Sequence, residues 1–111
     1  MIDKPKIVCL CGSTRFYEEY QRAYFDQTMQ GKIVLSVGFY QHASKEMQEI
    51  HGQGIGITED DKRRLDELHL RKIDLADEVL VINPGGYIGE STTNEIEYAI
   101  NHNKPIRYLW P

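Results

Sequence analysis

Three short apolar runs, set apart by helix-length segments, leave this chain few folds to choose from. Residues 6–11 (Lys-Ile-Val-Cys-Leu-Cys), 33–37 (Ile-Val-Leu-Ser-Val) and 78–82 (Glu-Val-Leu-Val-Ile) are nearly continuous in apolar side chains. Strands with one wet face alternate; strands of a parallel sheet, covered on both faces, read like these. After the first run, Phe16, Tyr20, Ala23, Tyr24 and Met29 recur at helical spacing, and Gly31 closes the segment as a C-terminal glycine does. Thr58, with Asp61 three residues on, makes a capping-box start for a second helix running to about Ala76. Its apolar face holds Leu65, Leu68, Ile73, Leu75 and Ala76, and with them the polar His69 and Lys72. A third helix, capped by Ser91 and burying Ile96, Ala99 and Ile100, ends near Asn103; Pro105 blocks it and residues 106–109 form a fourth strand. Residues 38–57 show no period and read as a long loop.

Strands and helices in strict alternation predict right-handed crossovers, hence an α/β fold: a Rossmann-like three-layer sandwich with a four-stranded parallel sheet in order 2-1-3-4 and helices on both faces. In that order the connections leave the first and third strands in opposite directions. A crevice opens at their carboxyl ends, where open α/β sheets bind ligands.

With 111 residues, the sequence supports a single domain over residues 1–111. A net charge of −4 repels a polyanion, so no nucleic acid polymer is expected as partner and any bound phosphate needs a local site. No apolar run approaches the roughly 18–20 residues of a membrane span, and residues 1–5 lack the apolar stretch of a signal peptide, which predicts a cytoplasmic protein with no membrane partner. Cys9 and Cys11 share one face of the first strand, and with no second ligand pair to complete a zinc site they read as reduced, buried thiols. His42 and His51, in the long loop, lack structural-zinc spacing, so neither metal nor cofactor is expected.

Two glycine-bearing loops emerge at the crevice. Gly12-Ser13-Thr14-Arg15 offers backbone amides, hydroxyls and a guanidinium, a phosphate-sized cradle; the alternative is a tight turn with a hydroxyl cap. The second loop, residues 83–90, brings Gly89, Ser91 and Thr92 to a helix start whose free amides attract an anion. Glu95, one turn further, is either a carboxylate aimed across the crevice or a surface group favoured near a helix N-terminus, whereas Glu97 should face water. Tyr87 and Phe39 belong to loops over the same crevice.

The segment from Asp77-Glu78-Val79-Leu80-Val81-Ile82-Asn83-Pro84 through Glu95-Ile96-Glu97-Tyr98-Ala99 resembles the strand-loop-helix of the nucleoside 2-deoxyribosyltransferase superfamily, which includes 2′-deoxynucleoside 5′-monophosphate N-hydrolases. Gly12-Ser13-Thr14-Arg15 is similar to the first loop of that family. Pro84-Gly85-Gly86 also resembles the phosphate loop of the cytokinin-activating phosphoribohydrolases. Both families cleave N-glycosidic bonds. The resemblance implies that Glu95 attacks the anomeric carbon of a nucleotide while the base leaves, with Gly12, Ser13, Thr14, Arg15, Gly86, Gly89, Ser91 and Thr92 binding the substrate. The family acid–base Asp stands eight residues before Asp77, and here that position is His69. His69 is read as an acid–base group or as a buried histidine satisfied by a neighbour; Asp66, a turn earlier, lies nearer the site, and Asp74 is a poorer substitute. The relatives complete their sites as dimers, which with the terminal Trp110 implies a homodimer or higher homo-oligomer.

The expected function is therefore N-glycosidic cleavage of a nucleoside 5′-monophosphate or related phosphorylated N-riboside. Two others stand beside it: a nucleotide-binding sensor without turnover, and a nucleoside deoxyribosyltransferase in which a second base replaces water.

Overall fold

A computed structural model of the chain describes residues 4–37 and 58–111. Its elements run β1 (Ile7–Gly12), α1 (Tyr17–Met29), β2 (Ile33–Leu35), α2 (Glu59–Leu75), β3 (Glu78–Ile82), α3 (Glu90–Asn101) and β4 (Ile106–Tyr108), with a 3-10 turn at Pro84–Gly86. The four strands are all parallel and ordered β2-β1-β3-β4, the order expected from the sequence.

Period-two alternation along the central strands builds a core on each face of the sheet. Val8, Leu10, Leu80 and Ile82 pack with Tyr20 and Ala23 of α1. Cys9, Cys11, Val79 and Val81 turn the other way, against Ile73 and Ala76 at the end of α2 and Ile96 and Ala99 of α3. α1 covers one face while α2 and α3 cover the other, because the chain reverses its direction of travel across the sheet after β2 and right-handed crossovers then pass on the opposite side. No helix among the described residues is long and apolar enough to cross a membrane.

Local chemistry sets the helix ends. Thr58 and Asp61 form the reciprocal capping box, with Asp61 N–H donating to Thr58 Oγ1 at 3.0 Å and Thr58 N–H to Asp61 Oδ2 at 3.1 Å. The cap of α3 is Gly89, so Ser91 lies inside the first turn instead of before it. Strand β2 stops at Leu35, two residues short of the apolar run.

The buried helix stripes are narrower than the sequence suggests. On α2 only His69 and Ile73 are buried, followed by Ala76; Leu65, Leu68 and Leu75 are 43, 54 and 67% exposed. On α1 the stripe is Tyr20, Ala23 and Gln27, with Tyr24 and Met29 outside it, and on α3 Thr92 is buried in place of Ile100. A small four-stranded sheet covers only one line of residues per helix, and polar side chains occupy that line where partners wait for them.

Gln27 shows how. Its Oε1 accepts from Lys32 Nζ at 3.2 Å and Arg107 Nη2 at 3.0 Å, and Glu78 Oε1 accepts from the same two cations at 2.7 and 3.0 Å. Burial raises the Glu78 carboxyl, but these bonds outweigh it and hold the group below its ordinary 4.5. Glu78→Ala takes the carboxylate from both cations, leaving them the neutral Gln27 oxygen, and is expected to lose about 1–3 kcal/mol in urea unfolding at neutral pH. Because the folded carboxyl is the stronger acid, this contribution is present above pH 4.5 and disappears as pH falls through the lower folded value. A deficit that persists unchanged in acid would contradict the network.

Candidate active site

Gly12, at the end of β1, pairs with Ile82, at the end of β3, and the chains leaving them diverge to opposite faces of the sheet. Between the diverging chains opens a cavity of about 490 Å³, within the range of small-molecule sites. Its walls are Gly12, Ser13 and Thr14 on one side, Gly89, Glu90, Ser91, Thr92 and Glu95 on another, and the face of α2 carrying Lys62, Leu65, Asp66, Leu68, His69 and Lys72. Thr58, Glu59, Val37 and Tyr87 contribute to the rim.

Most of the residues expected at the crevice therefore meet there. Arg15 and Gly86 do not line it. The Arg15 guanidinium lies over the Tyr87 ring at 4.6 Å, and Tyr87 itself meets Phe16 edge-on at 5.8 Å, so the arginine closes the two loops together from outside. Gly85 and Gly86 have φ of +66° and +85°, which only glycine adopts cheaply; the Pro-Gly-Gly run is explained by this turn. Phe39, His42 and His51 lie outside the described residues.

Gly12 has a steric reason to be glycine. A Cβ there would stand 2.6 Å from the Ile82 carbonyl oxygen and 3.0 Å from Ile82 Cβ. The following turn is held by Phe16 N–H donating to Ser13 O at 3.1 Å and Arg15 N–H to Ser13 Oγ at 3.3 Å. Across the cavity Lys62 Nζ donates to Ser91 Oγ at 3.2 Å and pairs with Asp66 at 2.8 Å. Both serine hydroxyls accept in these contacts, so each keeps its proton for an anionic oxygen. Lys62, although paired with Asp66, and the first-turn amides of α3 are the donors that this corner offers an anion.

Deeper lies a cluster of ionisable groups. Glu95 has a side chain only 13% exposed, and its Oε1 is 3.9 Å from His69 Nε2. Burial pushes its pKa up to about 7, against the pull of the His69 charge. The same Nε2 is 3.3 Å from Cys11 Sγ and 3.7 Å from Cys9 Sγ, and both thiols are fully buried. Burial opposes protonation of His69, but the Cys9 thiol and Glu95 outweigh it and leave the ring above its ordinary value. The bond to Cys11, helped by His69, draws Cys9 down to about 6, while the Cys9 sulfur and burial raise Cys11. His69 is thus a buried histidine with partners and also a wall of the cavity, facing Glu95.

Two other carboxylates fall elsewhere. Asp77 accepts from Ile7 N–H at 2.8 Å at the amino ends of the central strands, away from the cavity, and Asp74 accepts from Tyr98 Oη at 2.6 Å. Glu97 is exposed.

Sequence reasoning left out Lys62, Lys72, Cys9 and Cys11 as site groups. Lys62 was accessible to it, one helical turn before Asp66. Lys72 lines the cavity and donates to Ser36 O at 2.6 Å, tying α2 to the residue after β2. The chain matches no protein-family model, and a search of curated proteins finds no relative. The arrangement pairs a water-poor carboxylate with an anion-attracting corner inside one cavity. Such a pair can hold an anionic ligand by one end and stabilise positive charge developing at the other.

Proposed function

We propose that the protein is an N-glycosidase that cleaves the base–sugar bond of a nucleoside 5′-monophosphate or related phosphorylated N-riboside through Glu95. The observation that carries this reading is the position of Glu95, a desolvated carboxylate deep in a cavity whose rim holds Lys62, Ser91, Ser13 and the start of α3. The substrate phosphate occupies the Lys62–Ser91 corner. With that end fixed, the sugar carbon faces Glu95. The carboxylate oxygen bonds to the anomeric carbon as the bond to the base nitrogen breaks, and the electron pair leaves with the base. The departing base takes up a proton from water, while Asp66, paired with Lys62 at 2.8 Å, holds that lysine at the phosphate corner. His69, turned toward the thiols, acts on Glu95 by orienting it and not on the base. Water then attacks the same carbon, giving sugar phosphate and free carboxylate.

Incubation with a panel of ribo- and deoxyribonucleoside monophosphates, read by chromatography, should release free base from at least one member. Tight binding with no release by any member would make the protein a sensor; release only in the presence of a second free base would make it a transferase. Lys62→Ala should weaken phosphorylated ligands by about tenfold or more while leaving free nucleosides little changed, and Arg15→Ala, outside the cavity, should do less. Equal losses for both ligand classes would contradict the phosphate corner.

The same reading has the protein acting as a homodimer or higher homo-oligomer in a reducing cytoplasm. Tyr108 at the end of β4, an edge strand of the sheet as described, and Leu109 and Trp110 just after it are 40–54% exposed, and both cysteines are free. A light-scattering mass equal to one chain would contradict that assembly.

A further inference from the structure

We propose that Cys9, Cys11 and His69, with Glu95 as fourth ligand, form a binding site for zinc(II) at the floor of the cavity. The site is independent of the glycosidase reading, and it assembles from three elements. Alternation along β1 aims both sulfurs at the sheet face that α2 covers, and the buried stripe of α2 places His69 directly over them. The three donor atoms all lie within 4.8 Å of one another.

Distances match a metal shell. Bonds of about 2.3 Å to sulfur and about 2.05 Å to nitrogen, at a tetrahedral angle, put sulfur and nitrogen about 3.5 Å apart. Here Cys11 Sγ and Cys9 Sγ stand 3.3 and 3.7 Å from His69 Nε2. Nitrogen and oxygen ligands of one tetrahedral ion lie about 3.3 Å apart. Glu95 Oε1, at 3.9 Å from the same nitrogen, reaches the shell by a shift of about half an ångström.

Both sulfurs converge on the one ring nitrogen, although Cys9 Sγ also has the Leu10 carbonyl oxygen at 3.9 Å. A cation between them satisfies both. Two thiols with an imidazole select a thiophilic ion over magnesium or calcium, which take oxygen ligands. Binding displaces whatever protons the two cysteines and Glu95 carry, which pass to solvent, and no electron is transferred. Lys72, on the same cavity wall, offsets the negative charge that two thiolates and a carboxylate leave around a divalent ion. The cavity also gives the ion a path, since His69 and Glu95 line it while the sulfurs lie behind them. One consequence does rest on the glycosidase reading: an ion held by Glu95 takes the carboxylate out of the reaction, so zinc inhibits base release.

The test uses the full chain, reduced and treated with EDTA, and titrated with cobalt(II) as the probe. Thiolate-to-cobalt charge transfer in the near ultraviolet and strong tetrahedral bands in the visible should saturate at one ion per chain and vanish on adding zinc. Zinc should also raise the unfolding midpoint, increasingly so at higher free metal. Cys11→Ser, which leaves the Cys9 thiolate as the one sulfur ligand, should at least halve the charge-transfer band and weaken binding, and Glu95→Gln should keep the full band with binding tenfold or more weaker. If Cys11→Ser fails to fold, the midpoint shift and cobalt bands of the parent still decide. A folded parent without charge transfer, or with a midpoint indifferent to zinc, overturns the site. Thiolate bands with base release untouched by zinc would overturn the Glu95 ligation. These readouts need no turnover, so failure of the glycosidase reading leaves them intact.

Discussion

Glu95→Gln should abolish base release, by at least about a thousandfold, while the variant still binds nucleoside monophosphates. Glutamine keeps the shape and the hydrogen-bonding capacity but cannot form the glycosyl ester or carry the charge that meets a cationic sugar. The same variant should be more stable than its parent in metal-free buffer. Burial holds Glu95 at about 7 against an ordinary 4.5, so between these values the unfolded chain has lost a proton that the folded one keeps. Stability of the parent therefore falls as pH rises through that window, by about 2–3 kcal/mol in all, and glutamine removes the fall. Urea unfolding at about pH 5 and about pH 8 measures it: parent and variant should differ far more at the higher pH. A variant that turns over normally, or is destabilised equally at both values, would contradict a buried, reactive carboxylate.

Among the described glycines, Gly12 is where an added methyl, as in Gly12→Ala, should do the most damage in place. The added carbon would sit 2.6 Å from a backbone oxygen of β3, and neither central strand can retreat without disturbing the packing on both faces. Loss of about 3 kcal/mol or more is expected, with weaker nucleotide binding because the Ser13 turn moves with the strand end. Gly89→Ala is the control. Its Cβ would meet the Tyr87 hydroxyl at 3.5 Å, an ordinary contact, and its φ of −83° suits any residue. The control should stay within about 1 kcal/mol of the parent in denaturant titrations. If the two alanines behave alike, Gly12 is not there for the strand pairing.

The sheet order was legible because apolar runs and capping residues are local signals, and the crossover rule converts them into a topology. Thr58 with Asp61 is the clearest case, read from three residues' spacing and found as a full capping box. Helix faces were less legible. Spacing places Leu65 and Leu68 beside His69, but the sheet beneath α2 is too narrow to cover them, and they became cavity wall. The cavity gathers most of the residues that sequence spacing aimed at the crevice. Arg15 is outside because its guanidinium found the Tyr87 ring, a partner 72 positions along the chain. The sulfur–imidazole cluster was invisible for a related reason. Cys9 and Cys11 are 60 and 58 residues from His69, so no spacing rule joins them. Only the packing of α2 across β1 does.

The central claim is that Glu95 attacks the sugar, and intact-protein mass spectrometry with a 2′-fluoro nucleoside monophosphate addresses it directly. Fluorine beside the anomeric carbon disfavours the positive charge on which both steps depend, so the ester should accumulate once formed with a reactive nucleotide. The account predicts an added fluoro-sugar phosphate on the folded protein, mapped by peptide sequencing to Glu95. An adduct on another side chain, or continued base release with no adduct on the carboxylate, would contradict it.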